Sequence, residues 1–459
     1  MLTVPFFMER PDGSYLKAVR ILRLLPGKRI TFEAECGGSR LLAKLFVGKA
    51  HARHAGRESA GVRALMEAGI PTAALVLEES LPNGDLVATR FITNALSMQA
   101  TLSETKHLPI SHPSVRQFLQ PMFSLLGRVH SAGLAHWDIH PGNFLKDTTT
   151  TYLIDGDAVE TTSCRPLAQD KAISNLGALI AQFPVAWEED LDQLISFYQQ
   201  GNPEFTYVAK ALNAAIDAAR KDRISDYLSK ARRECSRFSA KRSVRRFEIV
   251  IRAHAEALAP LIARLDECLE EGEQLKQGRT ATVARIVQDG HQWVLKRYNI
   301  KSLAHAISRA WRPSRAWHAW IEGHRLQALG IATPQPVAIV EERTGPLRGR
   351  AWLLTEHVPG SNLRDLLDER RPPPEALGQS LLSLFSSLAR MQITHGDLKA
   401  TNLIWNGARV VMIDLDAMVQ HHSKLAHVRA WSRDRARLLR NWPPGSELHQ
   451  WLDQHLMPA

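Results

Sequence analysis

The sequence is poor in cysteine and has no long apolar run. Its 459 residues include four cysteines, and none of them forms a C-x-x-C pair, which excludes a readable disulfide framework or cysteine zinc site. No stretch of about 18 uninterrupted apolar residues occurs, so a transmembrane helix is not predicted. The N-terminus lacks the basic start, apolar stretch and cleavage site of a secretory signal. These absences predict a protein of the reducing cytoplasm.

The composition is that of a soluble globular protein. Hydrophobic residues make up 44% and charged residues 23% of the chain, which excludes a disordered or fibrous protein. The length predicts two to four domains. The formal net charge of +11 favours an anionic partner, which the charge alone leaves open between nucleic acid, a membrane surface and a phosphorylated ligand.

The chain contains an internal repeat. AHWDIHPGNFL and TYLIDGDAV in the first half correspond to THGDLKATNLI and VVMIDLDAM in the second. His136 and His395 are 395 − 136 = 259 residues apart, and the polar residues that follow keep that offset. Several matched polar positions at one offset indicate two copies of one structural unit.

The repeat extends to both sides of these loops. Lys44 in RLLAKLF and Lys296 in QWVLKRY each lie in a short strand-like run, and a helix-like segment follows each run. Downstream, Asp170 and Asp434 are matched, and we expect each to tie a helix to its loop. Residues 205–270 have a helical pattern, so the boundary is predicted near residue 268. The predicted domains are 1–268, with a helical C-terminal extension, and 269–459.

Each copy contains the residue types that phosphoryl transfer needs. A strand lysine and Mg²⁺ neutralise the phosphates, and a carboxylate orients the attacking hydroxyl and accepts its proton. Mg²⁺ prefers oxygen ligands, which an asparagine amide and an aspartate supply. The Asp-x-x-x-x-Asn loop and the later aspartate of each copy therefore predict ATP and Mg²⁺ as cofactors.

These motifs resemble the protein-kinase-like superfamily, whose catalytic loop has the pattern H-R-D-x-x-x-x-N. LLAKLF, GIATPQPVAIVEER, HGDLKATNLIW and MIDLDAM resemble more narrowly the bacterial lipopolysaccharide core kinases, the heptose and Kdo kinase group. The resemblance implies an α+β fold class with two tandem kinase-like bilobal domains, each with a small β-rich lobe and a larger helical lobe. ATP would bind between the lobes.

The resemblance also implies a role for each matched residue. Catalytic carboxylates would be Asp138 and Asp397. The ligands of Mg²⁺ would be Asn143, Asp155, Asn402 and Asp414. The nucleotide phosphates would be bound by Lys44 and Lys296, each paired with a helix glutamate, and covered by a glycine-bearing loop.

The helix glutamate and the glycine loop differ between the copies. Glu58 is the predicted partner of Lys44. In the second copy the matched position is Ala319, and the nearest acid is Glu322, about one helical turn away. The phosphate-covering loop contains Gly278 in the second copy and Gly27 in the first, and neither loop has three glycines. His136 and His395 are expected to brace the loops, whereas Asp157 and Asp416 are expected to be structural or to contact the metal.

The predicted function is an ATP-dependent kinase that phosphorylates a sugar hydroxyl, predicted to be a heptose, of the lipopolysaccharide inner core or its lipid-linked precursor. A protein kinase or aminoglycoside-type kinase, and a scaffold with one or both copies inactive, are the alternatives. The sequence leaves open which copy transfers phosphate. Nucleic acid is not an expected partner.

The predicted location is the cytoplasmic face of the inner membrane. The basic run between residues 230 and 246 is either a solvated face or a contact with an anionic membrane surface.

Overall fold

The computed structural model describes residues 4–278, 280–299, 313–344 and 347–456. The chain divides into two compact units. Unit 1 comprises residues 1–183 and 187–220, and unit 2 comprises residues 184–186 and 221–459. Both contain strands and helices, which confirms the predicted mixed α and β composition.

Unit 1 begins with strands and continues with helices. Its strands are β1 (Phe6–Glu9), β2 (Tyr15–Leu25), β3 (Arg29–Cys36), β4 (Ser39–Phe46), β5 (Leu75–Leu81), β6 (Gly84–Arg90), β7 (Leu96–Ser97), β8 (Leu134–His136), β9 (Phe144–Lys146), β10 (Thr151–Leu153) and β11 (Val159–Thr161). Its helices are α1 (His51–Glu67), α2 (Met98–Thr105), α3 (Pro113–Ser131), α4 (Gln169–Ile180), α5 (Leu191–Gln199) and α6 (Ala209–Lys230), and α6 contains the division between the units.

A six-stranded antiparallel sheet positions Lys44 in unit 1. The strand order is β1-β2-β3-β4-β6-β5. Gly37 and Gly38, with φ of +56° and +77°, join β3 to β4 in a two-residue turn that only residues tolerant of positive φ form easily. That turn sets the register in which Thr31 pairs with Lys44. Helix α1 then packs against the loop after β10, because Gly61 lets the two backbones approach closely.

The helical part of unit 1 has its own hydrophobic core. Leu119, Met122, Phe123 and Leu126 recur at helical spacing on α3 and are fully buried. They pack in one cluster with residues of α4 and α5. This core holds β8 and the loop after it in place.

Unit 2 repeats the order of sheet followed by helices. Its strands are β12 (Phe238–Arg242), β13 (Arg246–Ile251), β14 (Glu273–Gln277), β15 (Ala281–Gln288), β16 (His291–Tyr298), β17 (Pro336–Thr344), β18 (Leu347–Glu356), β19 (Ser361–Asn362), β20 (Ile393–Thr394), β21 (Leu403–Trp405), β22 (Val410–Met412) and β23 (Val419–Gln420). Its further helices are α7 (Ala259–Ala263), α8 (Leu265–Glu271), α9 (Arg315–Leu329), α10 (Leu363–Leu366), α11 (Glu375–Arg390), α12 (Lys424–Leu439) and α13 (Glu447–His455).

The hairpin of β15 and β16 positions Lys296. Asp289 and Gly290, with φ of +50° and +76°, form its two-residue turn, the Asp-Gly pair that such hairpins favour. Val283 therefore pairs with Lys296, as Thr31 pairs with Lys44 in unit 1. The seven-stranded sheet has the order β12-β13-β17-β18-β16-β15-β14.

The division between the units differs from the predicted boundary at residue 268. It falls between Arg220 and Lys221, because β12 and β13 form a hairpin and β13 pairs with β17 of the second sheet. The prediction that residues 205–270 are helical is wrong for residues 238–251. Phe247, Ile249 and Ile251 alternate along β13, the period of a strand, which the surrounding helical patterns obscured.

Among the described residues, no helix is both long and apolar enough to cross a membrane.

Candidate functional site

Each unit places its Asp-x-x-x-x-Asn motif in a loop that closes with a 3-10 turn, at Pro141–Asn143 and at Ala400–Asn402. Asn143 Nδ2 donates to the backbone oxygen of Asp138 at 2.8 Å, and Asn402 Nδ2 donates to that of Asp397 at 3.0 Å. Because the amide nitrogen is used within the loop, the side-chain oxygen is the atom that each asparagine can offer to a cation.

The two loop histidines brace the site. His136 Nε2 donates to the backbone oxygen of Asp155 at 3.0 Å, and His395 Nε2 donates to that of Ile413 at 2.9 Å. Burial lowers the pKa of His136, so its ring stays neutral and keeps a single N–H for this bond. Both histidines occupy the bracing position that the sequence predicts.

Asp155 and Asp414 have left-handed backbones, with φ of +74° and +62°. Aspartate tolerates this conformation better than most residues, yet each such position costs about 1–3 kcal/mol and persists where packing enforces it. The histidine bonds to these two turns provide part of that enforcement. The conformation turns both side chains toward the lysine of their unit.

In unit 1 the structure brings Lys44, Glu58 and Asp155 together. Lys44 Nζ lies 2.6 Å from Glu58 Oε1 and 2.7 Å from Asp155 Oδ1. Burial opposes the ionisation of Asp155, but Lys44 outweighs it and holds the Asp155 pKa at about 2. Burial raises the pKa of Glu58, and Lys44 works against that rise. Glu58 also accepts the backbone N–H of Gly156 at 3.2 Å.

In unit 2 a different carboxylate pairs with the lysine. Lys296 Nζ lies 2.5 Å from Asp414 Oδ1 and 2.8 Å from Asp416 Oδ2. The structure does not bring Glu322 to Lys296, since Glu322 pairs with Arg325 on its own helix at 2.8 Å. Burial disfavours the charge on Asp414, but Lys296 outweighs it, so the pKa of Asp414 is lowered.

Asp416 is held by two further groups. Tyr298 donates its hydroxyl to Asp416 at 2.7 Å, and Arg315 Nη2 lies 2.6 Å from it. Burial, with Asp416 beside it, raises the pKa of Tyr298 well above 10, so the phenol keeps the proton that it donates. The sequence left Asp416 open between a structural and a metal-contacting role, and this lysine partnership was not foreseen.

The two predicted catalytic aspartates have different surroundings. Asp397 lies 2.9 Å from Lys399 Nζ and 3.6 Å from Arg437 Nη1. The Asp138 side chain is 72% exposed, and His140 Nε2 lies 4.0 Å from its carboxylate. Lys399 and Arg437 were missed by sequence reasoning, although the lysine two residues after Asp397 is a visible signal.

The tie between helix and loop uses Asp434 in unit 2 but Asn175 in unit 1. Asp434 Oδ2 accepts the backbone N–H of Gly396 at 2.8 Å. Asn175 Nδ2 donates to the backbone oxygen of His136 at 2.8 Å, whereas the predicted Asp170 is exposed. The prediction for Asp170 is wrong because the matched position is Asn175, which stands 434 − 175 = 259 residues before Asp434 and keeps the offset of the loops.

A cavity opens beside the lysine in each unit. That of unit 2 has a volume of about 500 Å³, and Lys296, Asn402 and Asp414 line it. That of unit 1 has a volume of about 160 Å³, and Lys44, Asn143 and Asp155 line it. Glu58 also lines the smaller cavity.

Gly278 lies in the turn between β14 and β15, where its N–H donates to Ala281 O at 3.0 Å. Its neighbours Lys276 and Thr280 line the larger cavity, and Arg279 lies outside the described residues.

The donors present in the larger cavity fit Mg²⁺. Asn402 offers an amide oxygen, and Asp414, with its pKa lowered, offers a carboxylate. Two protein oxygens, with phosphate oxygens and water, make the kind of site in which Mg²⁺ is usually held. Within the described ranges no cluster of three or more His, Cys, Asp or Glu side chains has metal-binding geometry.

Comparison with known proteins finds one matching family model. Residues 267–455 match the model of the lipopolysaccharide kinase (Kdo/WaaP) family. A solved structure described as WaaP in complex with acyl carrier protein is similar at 16% identity and a TM-score of 0.29, over 55% of this chain and 88% of that one. No curated protein matches the sequence.

Proposed function

From the match of residues 267–455 to the model of the lipopolysaccharide kinase (Kdo/WaaP) family, a family of phosphotransferases, we propose the reaction of unit 2. Unit 2 transfers the γ-phosphate of ATP to a sugar hydroxyl, a heptose hydroxyl, of the lipopolysaccharide inner core. The observation that carries the proposal is the joint lining of one cavity of about 500 Å³ by Lys296, Asn402 and Asp414. This volume lies within the roughly 300–1,000 Å³ of small-molecule and cofactor sites.

Each residue of the site has a separate role in phosphoryl transfer. Lys296 binds the nucleotide phosphates, while Asn402 and Asp414 hold Mg²⁺, which when bound neutralises charge on the transferring group. Asp397 orients the sugar hydroxyl and accepts its proton. Lys399, 2.9 Å from Asp397, places a positive charge where the transferred phosphoryl oxygens arrive.

Unit 2 is assigned the transfer in preference to unit 1. Its cavity is about three times larger, and its catalytic loop carries Lys399, where unit 1 has His140. The predicted nucleotide and Mg²⁺ roles of Lys44, Glu58, Asn143 and Asp155, and the catalytic role of Asp138, are not needed for the reaction. The tandem, bilobal and kinase-like arrangement is itself part of this proposal, supported by the order of sheet and helices in both units.

We also propose that the protein works at the cytoplasmic face of the inner membrane. Several residues of the basic run are engaged internally, since Lys230 lies 2.6 Å from Asp226 and Arg246 Nε lies 3.3 Å from Glu248. The turn between β12 and β13 supports membrane contact, because Val244 is 72% exposed there beside Arg245. Equal binding to neutral and anionic liposomes would exclude this contact.

The decisive experiment incubates the full chain with Mg²⁺, ATP and dephosphorylated core oligosaccharide, and measures phosphate gain by mass spectrometry. Asp397→Asn is expected to reduce transfer by about 10²-fold or more, because the hydroxyl loses its general base. Asp138→Asn is the matched control and is expected to leave transfer within about twofold.

Three outcomes contradict the proposal. Phosphate gain by a protein or an aminoglycoside, with none by the oligosaccharide, would favour the corresponding kinase. Absence of transfer to all three acceptors would favour a scaffold. Loss of transfer in Asp138→Asn alone would assign the reaction to unit 1.

A further inference from the structure

The cavities of the two units differ at positions that the strand register makes equivalent. Arg23, Thr31 and Lys44 form one cross-strand row over β2, β3 and β4. The corresponding row in unit 2 is Lys276, Val283 and Lys296 over β14, β15 and β16. Side chains in such a row lie on the same face of the sheet, about 5 Å apart. An apolar valine in unit 2 is thus replaced by a hydroxyl in unit 1.

A larger difference between the two cavities lies two residues before Thr31 on β3 and two residues before Val283 on β15. Arg29 precedes Thr31 and pairs with Phe46, and Ala281 precedes Val283 and pairs with Tyr298. Both residues line the cavity of their unit. An arginine side chain in place of a methyl group occupies space beside the lysine in unit 1, where the volume is about 160 Å³, against about 500 Å³ in unit 2.

The cations of the smaller cavity are not equally engaged. Lys44 is neutralised by Glu58 and Asp155 at 2.6 and 2.7 Å. Arg29 lies over the Phe46 ring, with Cζ 5.7 Å from the ring centre, and its charge helps to lower the pKa of Asp155. Its Nε is nevertheless buried without a hydrogen-bond partner, and among the described residues neither Arg23 nor Arg29 forms an ion pair within 4.0 Å. A buried unpaired donor is costly, so a ligand that accepts its hydrogen bond is stabilised there.

We propose that unit 1 binds the dianion of a phosphate group, supplied by free phosphate or by a phosphorylated sugar, and takes no nucleotide. Arg23 and Arg29 supply positive charge, and the hydroxyl of Thr31, which also lines the cavity, supplies a further donor. A cavity of about 160 Å³ has room for a phosphate group but lies below the roughly 300–1,000 Å³ of small-molecule and cofactor sites. This binding site goes beyond the transfer reaction proposed for unit 2.

Calorimetric titration of the full chain with inorganic phosphate tests the proposal. Arg29→Gln is expected to weaken binding about tenfold or more, because a guanidinium makes charge-assisted bonds to phosphate. Lys28→Gln is the control, since it removes the charge of the preceding residue, which does not line the cavity, and is expected to change affinity by less than twofold. Equal phosphate affinity in Arg29→Gln and the unchanged protein would overturn the site.

Three further measurements test the phosphate site in unit 1. Phosphate is expected to raise the thermal midpoint of the unchanged protein and to raise it less in Arg23→Gln, so the test survives if Arg29→Gln fails to fold. A non-hydrolysable ATP analogue is expected to bind once per chain, and two binding events would overturn the exclusion of nucleotide from unit 1. Tighter binding of a phosphosugar than of free phosphate would identify the sugar as the source, and equal binding would identify free phosphate.

Discussion

Lys296 is paired with Asp416, whose Oδ2 lies 2.8 Å from the lysine Nζ. In unit 1 the lysine has a helix glutamate instead, with Lys44 Nζ 2.6 Å from Glu58 Oε1. The corresponding lysines of the two units are therefore paired with carboxylates from different structural elements. Unit 2 uses the turn after β22, and unit 1 uses helix α1.

This pairing predicts that Asp416→Asn impairs unit 2 more than Glu322→Gln does. Loss of the Asp416 charge leaves Asp414 as the remaining anion beside Lys296 and leaves Arg315 without its anionic partner, so kcat/KM for ATP is expected to fall at least tenfold. Glu322→Gln removes a charge that pairs with Arg325, and is expected to change kcat/KM by less than threefold. Steady-state kinetics with varied ATP measure both, and a larger loss in Glu322→Gln would refute the pairing.

Gly61 and Gly56 provide a matched pair on helix α1. A Cβ at Gly61 would lie 2.0 Å from Gly156 O, whereas a Cβ at Gly56 meets no atom within 4 Å. Gly61→Ala is expected to lower the free energy of unfolding by about 1–3 kcal/mol, because the helix must shift away from the turn that carries Asp155. Gly56→Ala is expected to raise it by about 0.5–1 kcal/mol through helix propensity. Urea unfolding measures the change in the free energy of unfolding for each variant. Equal changes would contradict the close approach of helix α1 to the turn at Gly156.

His130 predicts an acid sensitivity of unit 1. Burial lowers its pKa from 6.5 to about 4, while the unfolded chain keeps the ordinary value. The unfolded state then binds the extra proton between these two pH values. The free energy of unfolding is therefore highest above pH 6.5, where His130 is neutral in both states. It falls by about 3 kcal/mol as the pH decreases to about 4.

Hydrogen exchange of the α3 amides reports on unit 1 and measures this slope. His130→Gln, which replaces the titrating ring by an amide, is expected to reduce the dependence between pH 6.5 and 4, and His136, whose pKa is also lowered by burial, accounts for part of what remains. The buried His324 of unit 2, with its pKa lowered to about 3 by burial, serves as an internal control. Its helix α9 is expected to keep its pH slope in the variant, and an unchanged α3 slope in His130→Gln would refute the assignment.

Local motifs made much of the site predictable. Asp397 and Asn402 lie five residues apart in one loop, so their spacing is visible in the sequence. The hairpin turns at Gly37-Gly38 and Asp289-Gly290 lie within a few residues of Lys44 and Lys296 and fix the strand register of each lysine. Such short-range geometry is determined by the residues of the turn or loop itself, so it can be predicted from a local motif. The offset of 259 residues would also have identified Asn175, had it been applied to Asp434 without change.

Pairings between distant segments were not predictable in the same way. The pattern of residues 205–270 hid β13, because its strand character depends on β17, about 90 residues later. The spacing within α9 pointed to Glu322, yet its partner is Arg325 and the lysine is met by Asp416.

The sequence by itself determined that one set of motifs occurs twice, each time with a lysine, an Asp-Asn loop and a later aspartate, and that a phosphate-bearing ligand suits this chemistry. Only the tertiary structure decided which carboxylate meets each lysine and how much space remains beside it. The physical reason is that a motif records only the spacing of residues along one segment. The difference between Arg29 and Ala281 matters because the sheet register places both residues in the lining of a cavity, which depends on pairing between segments.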